Sequence, residues 1–324
     1  MSQKPKALYY TILKFLPENR ELLDRHFDVL ELPDPDADND TNLAQVDLVF
    51  APLGYQFGLY KLKRRQKLKV IASNTTSVPH IDLKAAENLG ITVISLKNER
   101  QFLESITATA EHTWGLLLAV LRKTPWSFKA VMDGTWNRFE FGGDTMLSRM
   151  DLGIIGLGRL GRMVAGYGKA FGMRVRYYDP YIDDRNCCIE KMPSLESLVS
   201  SSNVISIHVP ANTTTLNMIN DRIIEYMQPG TIIINTSRGE VIEEGALLNA
   251  LKKGRLRGAA LDVLNGEFEP GFKPSSHPLV KYAMENENLL ITPHIGGSTI
   301  DAWCETQKMV ISMAIKELCC DISP

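Results

Sequence analysis

The segment LGIIGLGRLG, residues 152–161, decides the fold of this chain. It runs from an apolar stretch into three glycines with the spacing G-x-G-x-x-G, at Gly156, Gly158 and Gly161. The residues from Asp151 to Ile155 predict a buried strand, and the following RMVAGYGKAFG predicts a helix. The glycine spacing alone is weak evidence, but strand, glycine turn and helix in this order indicate a site for the phosphates of a dinucleotide.

Each of the three glycines has a distinct structural role in such a site. Gly156 permits a tight turn, Gly158 allows the phosphates to approach, and Gly161 lets helix and strand pack closely. The next predicted strand, MRVRYYDPY, ends in Asp179, 18 residues after Gly161. A carboxylate there can accept hydrogen bonds from ribose hydroxyls and would repel a 2′-phosphate, so NAD is predicted rather than NADP.

Two alternatives to this cofactor prediction stay open. Asp179 could only cap the turn before Pro180. Three nearby cations leave some NADP use possible: Arg174, Arg176 and Arg185.

Length and composition limit the function classes. The 324 residues, 44% hydrophobic and 23% charged, are enough for two globular domains. Basic and acidic residues, 36 and 38, are mixed along the chain, so neither nucleic acid nor a membrane surface is an expected partner. No signal peptide or transmembrane segment is evident, which predicts a cytoplasmic protein. No metal is expected, since none of the cysteines has a C-x-x-C spacing and all are interpreted as reduced thiols: Cys187, Cys188, Cys304, Cys319 and Cys320.

Strands alternate with helices along the chain, which is typical of α/β folds with doubly wound parallel sheets. Strand candidates in residues 1–100 are KALYYTIL, HFDVLEL, VDLVFAP, LKVIASN and ITVISL. A long apolar helix is predicted over residues 106–123, and a second series of strands and helices runs over 152–294. Residues 298–318 predict a final helix. Two Rossmann-like or flavodoxin-like domains are therefore expected.

Polar side chains follow three predicted strands of the second series. Arg238 follows IIINTS, Asp262 and Glu267 follow AAL, and His294 follows LLITP. The carboxyl ends of parallel strands meet at one edge of a sheet, so these groups can converge on the nucleotide site. Each has an ordinary alternative, because such an Arg is usually salt-bridged, a loop Glu usually has no role and a lone His is usually structural.

The sequence resembles the D-isomer-specific 2-hydroxyacid dehydrogenase family, which includes phosphoglycerate, glycerate and D-lactate dehydrogenases. The resemblance covers nearly the whole chain and is most specific in GIIGLGRLGRMVA, HVPANTTTLNMIN, INTSRGEVIEEGALLNALKKGRLRGAALDV and TPHIGGST, together with AEHTWGLLLAVLR. It implies an NAD-binding Rossmann domain over residues 105–294, inserted into a substrate domain formed by residues 1–104 and 295–324.

The resemblance also implies an activity, the interconversion of a D-2-hydroxy acid and its 2-keto acid by hydride transfer. On matching positions Arg238 would bind the substrate carboxylate and carbonyl, His294 would be the acid/base, and Glu267 would hold His294. Further cofactor contacts are implied at Arg159, Leu160, His208, Val209, Pro210, Thr215, Thr236, Ser237, Arg238, Asp262, His294, Gly296 and Gly297. For His208 the alternative of a partly buried loop histidine stays open, and a structural role is expected for His112.

Substrate identity is open at this stage. The family's substrate loop matches Thr76, Ser77 and Val78, but relatives commonly have Gly where Ser77 stands. The segment VFAPLGYQFG lacks the Arg that phosphoglycerate dehydrogenases place after the corresponding strand, and Leu53 and Tyr55 make it more apolar, so a phosphorylated substrate is less expected. Three cations could still reach such a phosphate: Lys61, Lys63 and Arg64.

Partners and rival functions follow from the same resemblance. Residues 106–139 would wrap a second subunit in a homodimer, unless Trp114, Trp126 and Trp136 fill a monomer core. Some relatives act as NAD(H)-sensing corepressors or scaffolds on the same fold, and the sequence does not exclude this. A formate or phosphite dehydrogenase is disfavoured, because Thr76 and Ser77 offer no cation where phosphite enzymes have a Lys.

Overall fold

A computed structural model describes residues 4–64, 66–184, 189–269 and 271–319. Arg185, Cys187, Cys188 and Cys320, named above, lie outside the described residues. Contacts divide the chain into a first unit, Met1–Ile106 with Ser298–Pro324, and a second unit, Thr107–Gly297. The domain boundaries predicted from the sequence, after residues 104 and 294, lie close to these divisions.

The first unit contains a parallel sheet of five strands in the order β2-β1-β3-β4-β5. The strands are β1 (Lys6–Tyr10), β2 (Asp28–Leu32), β3 (Leu48–Phe50), β4 (Val70–Ala72) and β5 (Thr92–Ile94). Its helices are α1 (Pro17–His26), α2 (Asp40–Leu43), α3 (Leu59–Lys63), α4 (Leu83–Asn88), α5 (Arg100–Leu103) and, from the end of the chain, α14 (Ile300–Cys319). This is the flavodoxin-like strand order.

Alternate residues of these strands point into two separate apolar clusters. In β1, Ala7 and Tyr9 belong to one cluster, and Leu8 and Tyr10 belong to the other. Both faces of the sheet are therefore covered, which is why β3 and β4 are apolar at every position. Helix α14 contributes to the first of these clusters, so the end of the chain returns to the unit that its beginning forms.

The second unit contains a parallel sheet of seven strands in the order β12-β11-β10-β9-β6-β7-β8. The strands are β6 (Asp151–Ile155), β7 (Arg174–Tyr178), β8 (Glu190–Lys191), β9 (Val204–Ile207), β10 (Thr231–Asn235), β11 (Leu256–Leu261) and β12 (Leu289–Ile291). Its helices are α6 (Ala108–Leu121), α7 (Thr124–Met132), α8 (Arg138–Phe141), α9 (Arg159–Ala170), α10 (Leu195–Ser200), α11 (Asp221–Tyr226), α12 (Glu244–Lys252) and α13 (Pro278–Glu285).

The direction of chain winding reverses at β6, which lies between β9 and β7. In open parallel sheets ligands bind at this switch point, beyond the carboxyl ends of the strands. The glycine segment follows β6 directly, so the fold places it at the expected position. The α/β class with two doubly wound parallel sheets, predicted from the sequence, is confirmed.

Short 3₁₀ turns complete the two units. They cover Thr11–Leu13, Pro35–Ala37, Leu96–Asn98, Leu147–Arg149, Gly239–Val241 and Pro274–Ser276. None of the helices in the described ranges has both the length and the apolar content needed to cross a lipid bilayer.

Candidate active site

The glycine turn between β6 and α9 has the geometry that its sequence predicts. Gly156 has a φ of +87°, and a Cβ built there would come within 2.7 Å of the His208 carbonyl oxygen. A Cβ on Gly161 would lie 2.1 Å from the Gly156 carbonyl oxygen. Gly158 differs, because its Cβ would meet nothing within 4 Å and would project into open space. Two of the glycines are thus required for packing, and the third keeps a cradle open.

That cradle fits the pyrophosphate of NAD. Gly158 is the N-cap of α9, no side chain caps this helix end, and its first turn contains no acidic residue. The first backbone N–H groups of a helix have no partner within the helix and carry partial positive charge, so they attract phosphate oxygens. Arg159 and Leu160 are the first two residues of α9, and their contact with the pyrophosphate stays a prediction. Burial lowers the pKa of the Arg159 guanidinium below its usual value.

Asp179 follows β7, and its buried carboxylate is bonded to the backbone around it. Oδ2 accepts the N–H of Leu157 at 2.9 Å, inside the glycine turn. Oδ1 accepts the N–H groups of Tyr181 and Ile182 at 2.8 and 3.0 Å. The turn-capping alternative is therefore present in the structure. It also ties the end of β7 to the glycine turn, where a ribose-binding carboxylate would have to lie.

Two of the three arginines that left NADP open, Arg174 and Arg176, lie within the described residues, and both form ion pairs with carboxylates. Arg176 is buried and binds Asp151 and Glu190, each at 3.1 Å. Arg174 binds the same Glu190 at 3.1 Å. Ion pairing to carboxylates on this side of the sheet reduces the availability of both cations for a 2′-phosphate.

His208, Val209 and Pro210, which the resemblance implies as cofactor contacts, directly follow β9. The Nε2 atom of His208 lies 2.8 Å from the Ser206 hydroxyl, and its buried Nδ1 has no partner among the described residues. Burial lowers the pKa of His208 to about 4, so this ring is neutral near pH 7. Thr215 closes the following loop by donating to the Pro210 carbonyl at 2.6 Å.

The end of β10 places Arg238 beside the same sheet edge. Asn235, the last residue of β10, accepts the Ser237 N–H at 3.0 Å and donates to the Arg238 carbonyl at 2.9 Å, which fixes the loop. Thr236 is buried, and its hydroxyl lies 2.7 Å from that of Thr113 in α6. The Arg238 side chain is half-buried and donates to the Ser237 carbonyl at 2.6 Å.

The electrostatic environment of Arg238 combines burial with nearby acids. Burial lowers the pKa of its guanidinium, while Glu267 and Glu240 act in the opposite direction. An arginine remains charged under these conditions, because the guanidinium is the most basic of the protein side-chain groups. The loop therefore presents a partly desolvated positive charge near Glu267.

Glu267 and His294 form the hydrogen-bonded pair that the family resemblance implies. Oε1 of Glu267 lies 2.7 Å from Nδ1 of His294. A carboxylate can only accept, so Nδ1 carries the hydrogen and Nε2 is left on the other side of the ring. The Phe268 ring lies 5.3 Å from the imidazole. Arg238, Glu267 and His294 follow β10, β11 and β12, three neighbouring strands of one sheet, and the fold brings them to the same edge.

The loop that carries His294 is held by Asp262, a residue predicted to contact the cofactor. The buried Asp262 carboxylate accepts from Thr292 Oγ1 at 2.6 Å, Ile295 N at 2.9 Å and Gly296 N at 2.7 Å. The N–H of His294 donates to the Asp262 carbonyl at 2.9 Å and holds His294 at φ +53°, a conformation uncommon for residues other than glycine. Asp262 is thus a support of the histidine loop.

His112 of α6 joins this support. Its Nε2 lies 3.2 Å from Asp262 Oδ1 and 3.0 Å from Thr292 Oγ1. Gly297 packs nearby, since a Cβ there would lie 3.8 Å from Thr109 Oγ1 of the same helix. The sequence predicts only a structural role for His112, and no local pattern connects it with Asp262.

The predicted substrate residues Thr76, Ser77 and Val78 belong to the first unit, in the loop after β4. The Thr75 hydroxyl donates to the Ser77 carbonyl at 2.7 Å, and the N–H of Ile81 donates to the Val78 carbonyl at 3.0 Å. Thr76 is exposed, and Ser77 is half-buried. Internal bonds therefore shape this loop without a glycine at residue 77.

Comparisons with known proteins find relatives of this chain in sequence and in structure. A family profile described as "D-isomer specific 2-hydroxyacid dehydrogenase, NAD binding domain" matches residues 114–296. The D-3-phosphoglycerate dehydrogenase of Methanocaldococcus jannaschii is 37% identical over 244 residues, which are 74% of this chain and 44% of that protein. The human D-3-phosphoglycerate dehydrogenase is 35% identical over 240 residues, 73% of this chain and 42% of that protein. The chain spans less than half the length of these curated relatives.

Solved structures resemble the chain over almost its whole length. The D-lactate dehydrogenase from Aquifex aeolicus, solved with NAD and lactic acid, matches with a TM-score of 0.84 at 26% identity. The match covers 98% of this chain and 96% of that chain. The likeness therefore includes both units.

Proposed function

This chain belongs to the D-isomer specific 2-hydroxyacid dehydrogenases, and on that premise we propose that it interconverts a D-2-hydroxy acid and its 2-keto acid with NAD. The observation that carries the proposal is the 2.7 Å bond between Glu267 and His294 Nδ1. It lies at the same sheet edge as the glycine turn and Arg238. Together these elements supply a cofactor cradle, a proton donor and a positive charge.

His294 is the acid/base of the proposed reaction. When bound, the cofactor would supply the redox chemistry, with NADH giving a hydride to carbon 2 of the 2-keto acid and NAD⁺ accepting it from the 2-hydroxy acid. His294 Nε2, on the side of the ring away from Glu267, donates a proton to the forming alkoxide and removes it in the reverse direction. Glu267 orients the ring, and its negative charge stabilises the imidazolium form.

Arg238 binds the substrate in this proposal. Its planar guanidinium offers several N–H donors, which suit the carboxylate and the carbonyl of a 2-keto acid. Partial burial strengthens such bonds, because less water competes for them. The predicted roles of Thr76, Ser77 and Val78 in substrate binding belong to the same proposal, as do the predicted contacts of NAD with the residues that follow β9, β10 and β12.

We further infer that the substrate is a small 2-keto acid without a phosphate. Two of the three cations that could reach a phosphate are already paired within the first unit. Lys61 binds Asp38 at 2.8 Å, and Arg64 binds Asp40 at 3.1 Å. Leu53 and Tyr55 add apolar surface to the loop after β3.

The test is an assay of NADH oxidation with the purified chain. The panel contains glyoxylate, hydroxypyruvate, pyruvate, branched 2-keto acids and phosphohydroxypyruvate, and the best substrate is repeated with NADPH. We expect turnover with an unphosphorylated acid, a preference for NADH, and a kcat about 10²–10⁴-fold lower in His294→Gln. No turnover on the panel while NADH still binds would contradict the proposal and favour the NAD(H)-sensing corepressor or scaffold function. A His294→Gln effect confined to KM would remove His294 from the acid/base role.

We also infer a homodimer from the segment that contains α7 and α8. Trp136 and Phe139 are 89% and 86% exposed, and Phe128 and Met132 are also largely exposed. Several large apolar side chains exposed within one short segment are typical of an interaction surface, and the exposure of Trp136 argues against its filling a monomer core. In this proposal, the surface formed by α7 and α8 packs against the same segment of a second copy of the chain.

Sedimentation tests the dimer. The double variant Trp136→Ser with Phe139→Ser should sediment as a monomer where the unaltered chain is a dimer. Tyr181→Ser is the matched control, because Tyr181 is 83% exposed outside this segment. A monomeric unaltered chain at micromolar concentration would refute the inference. The cytoplasmic location stays a prediction from the sequence.

A further inference from the structure

The turn that carries Glu267 has few bonds of its own. It spans residues 264–267, and the N–H of Glu267 donates to the Leu264 carbonyl at 3.3 Å. The N–H of Leu264 points to Glu267 Oε2 at 3.4 Å, a long distance for a hydrogen bond. Gly266 has a φ of +72°, which glycine adopts without strain but which also leaves the turn flexible. External support is therefore needed to hold Glu267 against His294.

Glu244 provides a bond at the corner of this turn. It is the first residue of α12, and its Oε1 accepts the Asn265 N–H at 2.8 Å. Bonds from a backbone N–H to a carboxylate are stronger than those between neutral groups. Asn265 lies two residues before Glu267, so this bond fixes the middle of the turn.

His277 holds the other oxygen of the same carboxylate. Its Nε2 lies 3.0 Å from Glu244 Oε2, with side chains only 11% and 19% exposed. The carboxylate accepts, so Nε2 carries the hydrogen. His277 Nδ1 is buried and has no partner among the described residues, and a second hydrogen there would be an unsatisfied donor. The ring also packs 5.9 Å from Phe272. His277, with its hydrogen on Nε2, therefore fixes the orientation of the Glu244 carboxylate.

The opposite side of the turn rests on the loop that carries Arg238. A Cβ built on Gly239 would lie 2.1 Å from the Leu264 carbonyl carbon and 2.2 Å from the Asn265 nitrogen. The peptide between Leu264 and Asn265 is thus stacked directly on Gly239, the neighbour of Arg238. Movement of this one peptide would displace both the arginine loop and Glu267.

We propose that Glu244 and His277 are positioning residues, which lock the 264–267 turn so that Glu267 and Arg238 keep their places around the reacting atoms. The proposal rests on the dehydrogenase function proposed above. Neither residue contacts substrate in it, and both act through the backbone of the turn. Displacements of about 1 Å in such supports reduce turnover by up to about 10²-fold.

The kinetic test compares Glu244→Ala with Glu243→Ala. Glu243 is the exposed preceding residue at the same helix end, so its substitution removes the same charge without touching the turn. We expect Glu244→Ala to lower kcat by about 10–100-fold while the Kd of NADH stays within about twofold of the unaltered chain. Glu243→Ala should leave both unchanged. Equal kcat values in the two variants would overturn the proposal.

Hydrogen exchange gives a readout that does not depend on turnover. Peptides covering residues 262–269 should exchange faster in Glu244→Ala than in Glu243→Ala, while peptides covering the glycine turn should not differ. If the unaltered chain turns over no 2-keto acid, the proposed function fails, but exchange still decides whether Glu244 holds the turn. Unchanged exchange in Glu244→Ala would refute that role.

His277→Asn covers the case in which Glu244→Ala does not fold. His277 is the N-cap of α13, and Asn is a favoured residue at that position, so the helix start is retained. The shorter side chain loses the bond to Glu244. We expect His277→Asn to lower kcat and to speed exchange in residues 262–269, both by less than Glu244→Ala. A folded His277→Asn chain with unaltered kcat and exchange would overturn the role of His277.

Discussion

Acid should destabilise the first unit through His80, and His80→Gln should remove that effect. His80 is 1% exposed and lies close to the predicted substrate loop in the chain. Its Nε2–H donates to the Ala51 carbonyl at 3.3 Å, and Nδ1 is buried with no partner among the described residues. A proton on Nδ1 would add a desolvated charge and a donor without an acceptor. Burial accordingly lowers the pKa of His80 to about 4.

The size and sign of the effect follow from proton linkage. The pKa of His80 is about 4 in the folded chain, against 6.5 as its usual value. As the pH falls below 6.5, the unfolded chain binds the proton first, so the free energy of unfolding decreases. The stabilising contribution of neutral, buried His80 to the free energy of unfolding is fully present above pH 6.5. The loss is about 2 kcal/mol at pH 5 and about 3 kcal/mol at pH 4.

Calorimetry of the unaltered chain and His80→Gln at pH 7 and pH 5 measures this difference. Gln can still donate to the Ala51 carbonyl but does not titrate. Between the two pH values, the Tm of the first unit should fall by about 4–10 °C more in the unaltered chain than in His80→Gln. His26→Gln, at the end of α1, is the control and should follow the unaltered chain. An equal fall in Tm in all three proteins would refute the reasoning. The pKa of His80 would then be the same in the folded and the unfolded chain.

Four other substitutions, one of them a control, test the second unit. Arg238→Lys should keep the fold but lose most turnover, because an ammonium group cannot reproduce the planar donors, and near-normal kcat would contradict this role. Glu267→Gln should lower kcat by at least about 10²-fold, since an amide does not stabilise a charged His294; a change seen only in the Kd of NADH would count against it. Gly161→Ala should cost about 1–3 kcal/mol and weaken NADH binding, because its Cβ would lie 2.1 Å from a carbonyl oxygen. Gly166→Ala, with no atom within 4 Å of its Cβ, should instead stabilise α9 by up to about 1 kcal/mol, and equal effects of the two in thermal unfolding and NADH binding would refute the packing argument.

Local patterns in the sequence predicted most of the fold. The helix predicted over residues 106–123 is α6 (Ala108–Leu121), and the helix predicted over 298–318 is α14 (Ile300–Cys319). Both could be predicted because the periodicity of a buried helix face is a property of neighbouring residues. The helices of the next segment, α7 and α8, were not predicted. Their large apolar residues are exposed, so these helices lack a clear buried face.

The site shows the limit of such patterns. The sequence left Asp179 either as a ribose ligand or as a turn cap, and the structure shows its oxygens accepting three backbone N–H groups. Which donors a carboxylate meets depends on how the following turn folds back. His277 carried no signal in the sequence, because its partner Glu244 lies in another helix.

The sequence by itself determined the parallel α/β class, the place of the dinucleotide cradle and the identity of Arg238, Glu267 and His294 as candidates. These follow from residue periodicity, from glycine sterics and from polar groups at strand ends, all of which act over a few residues. Tertiary structure alone decided that Glu267 meets His294 Nδ1 at 2.7 Å, that Glu244 holds the Asn265 N–H at 2.8 Å, and that His80 is buried. Each of these depends on side chains far apart in the chain, and only the packing of strands and helices brings them to a common position.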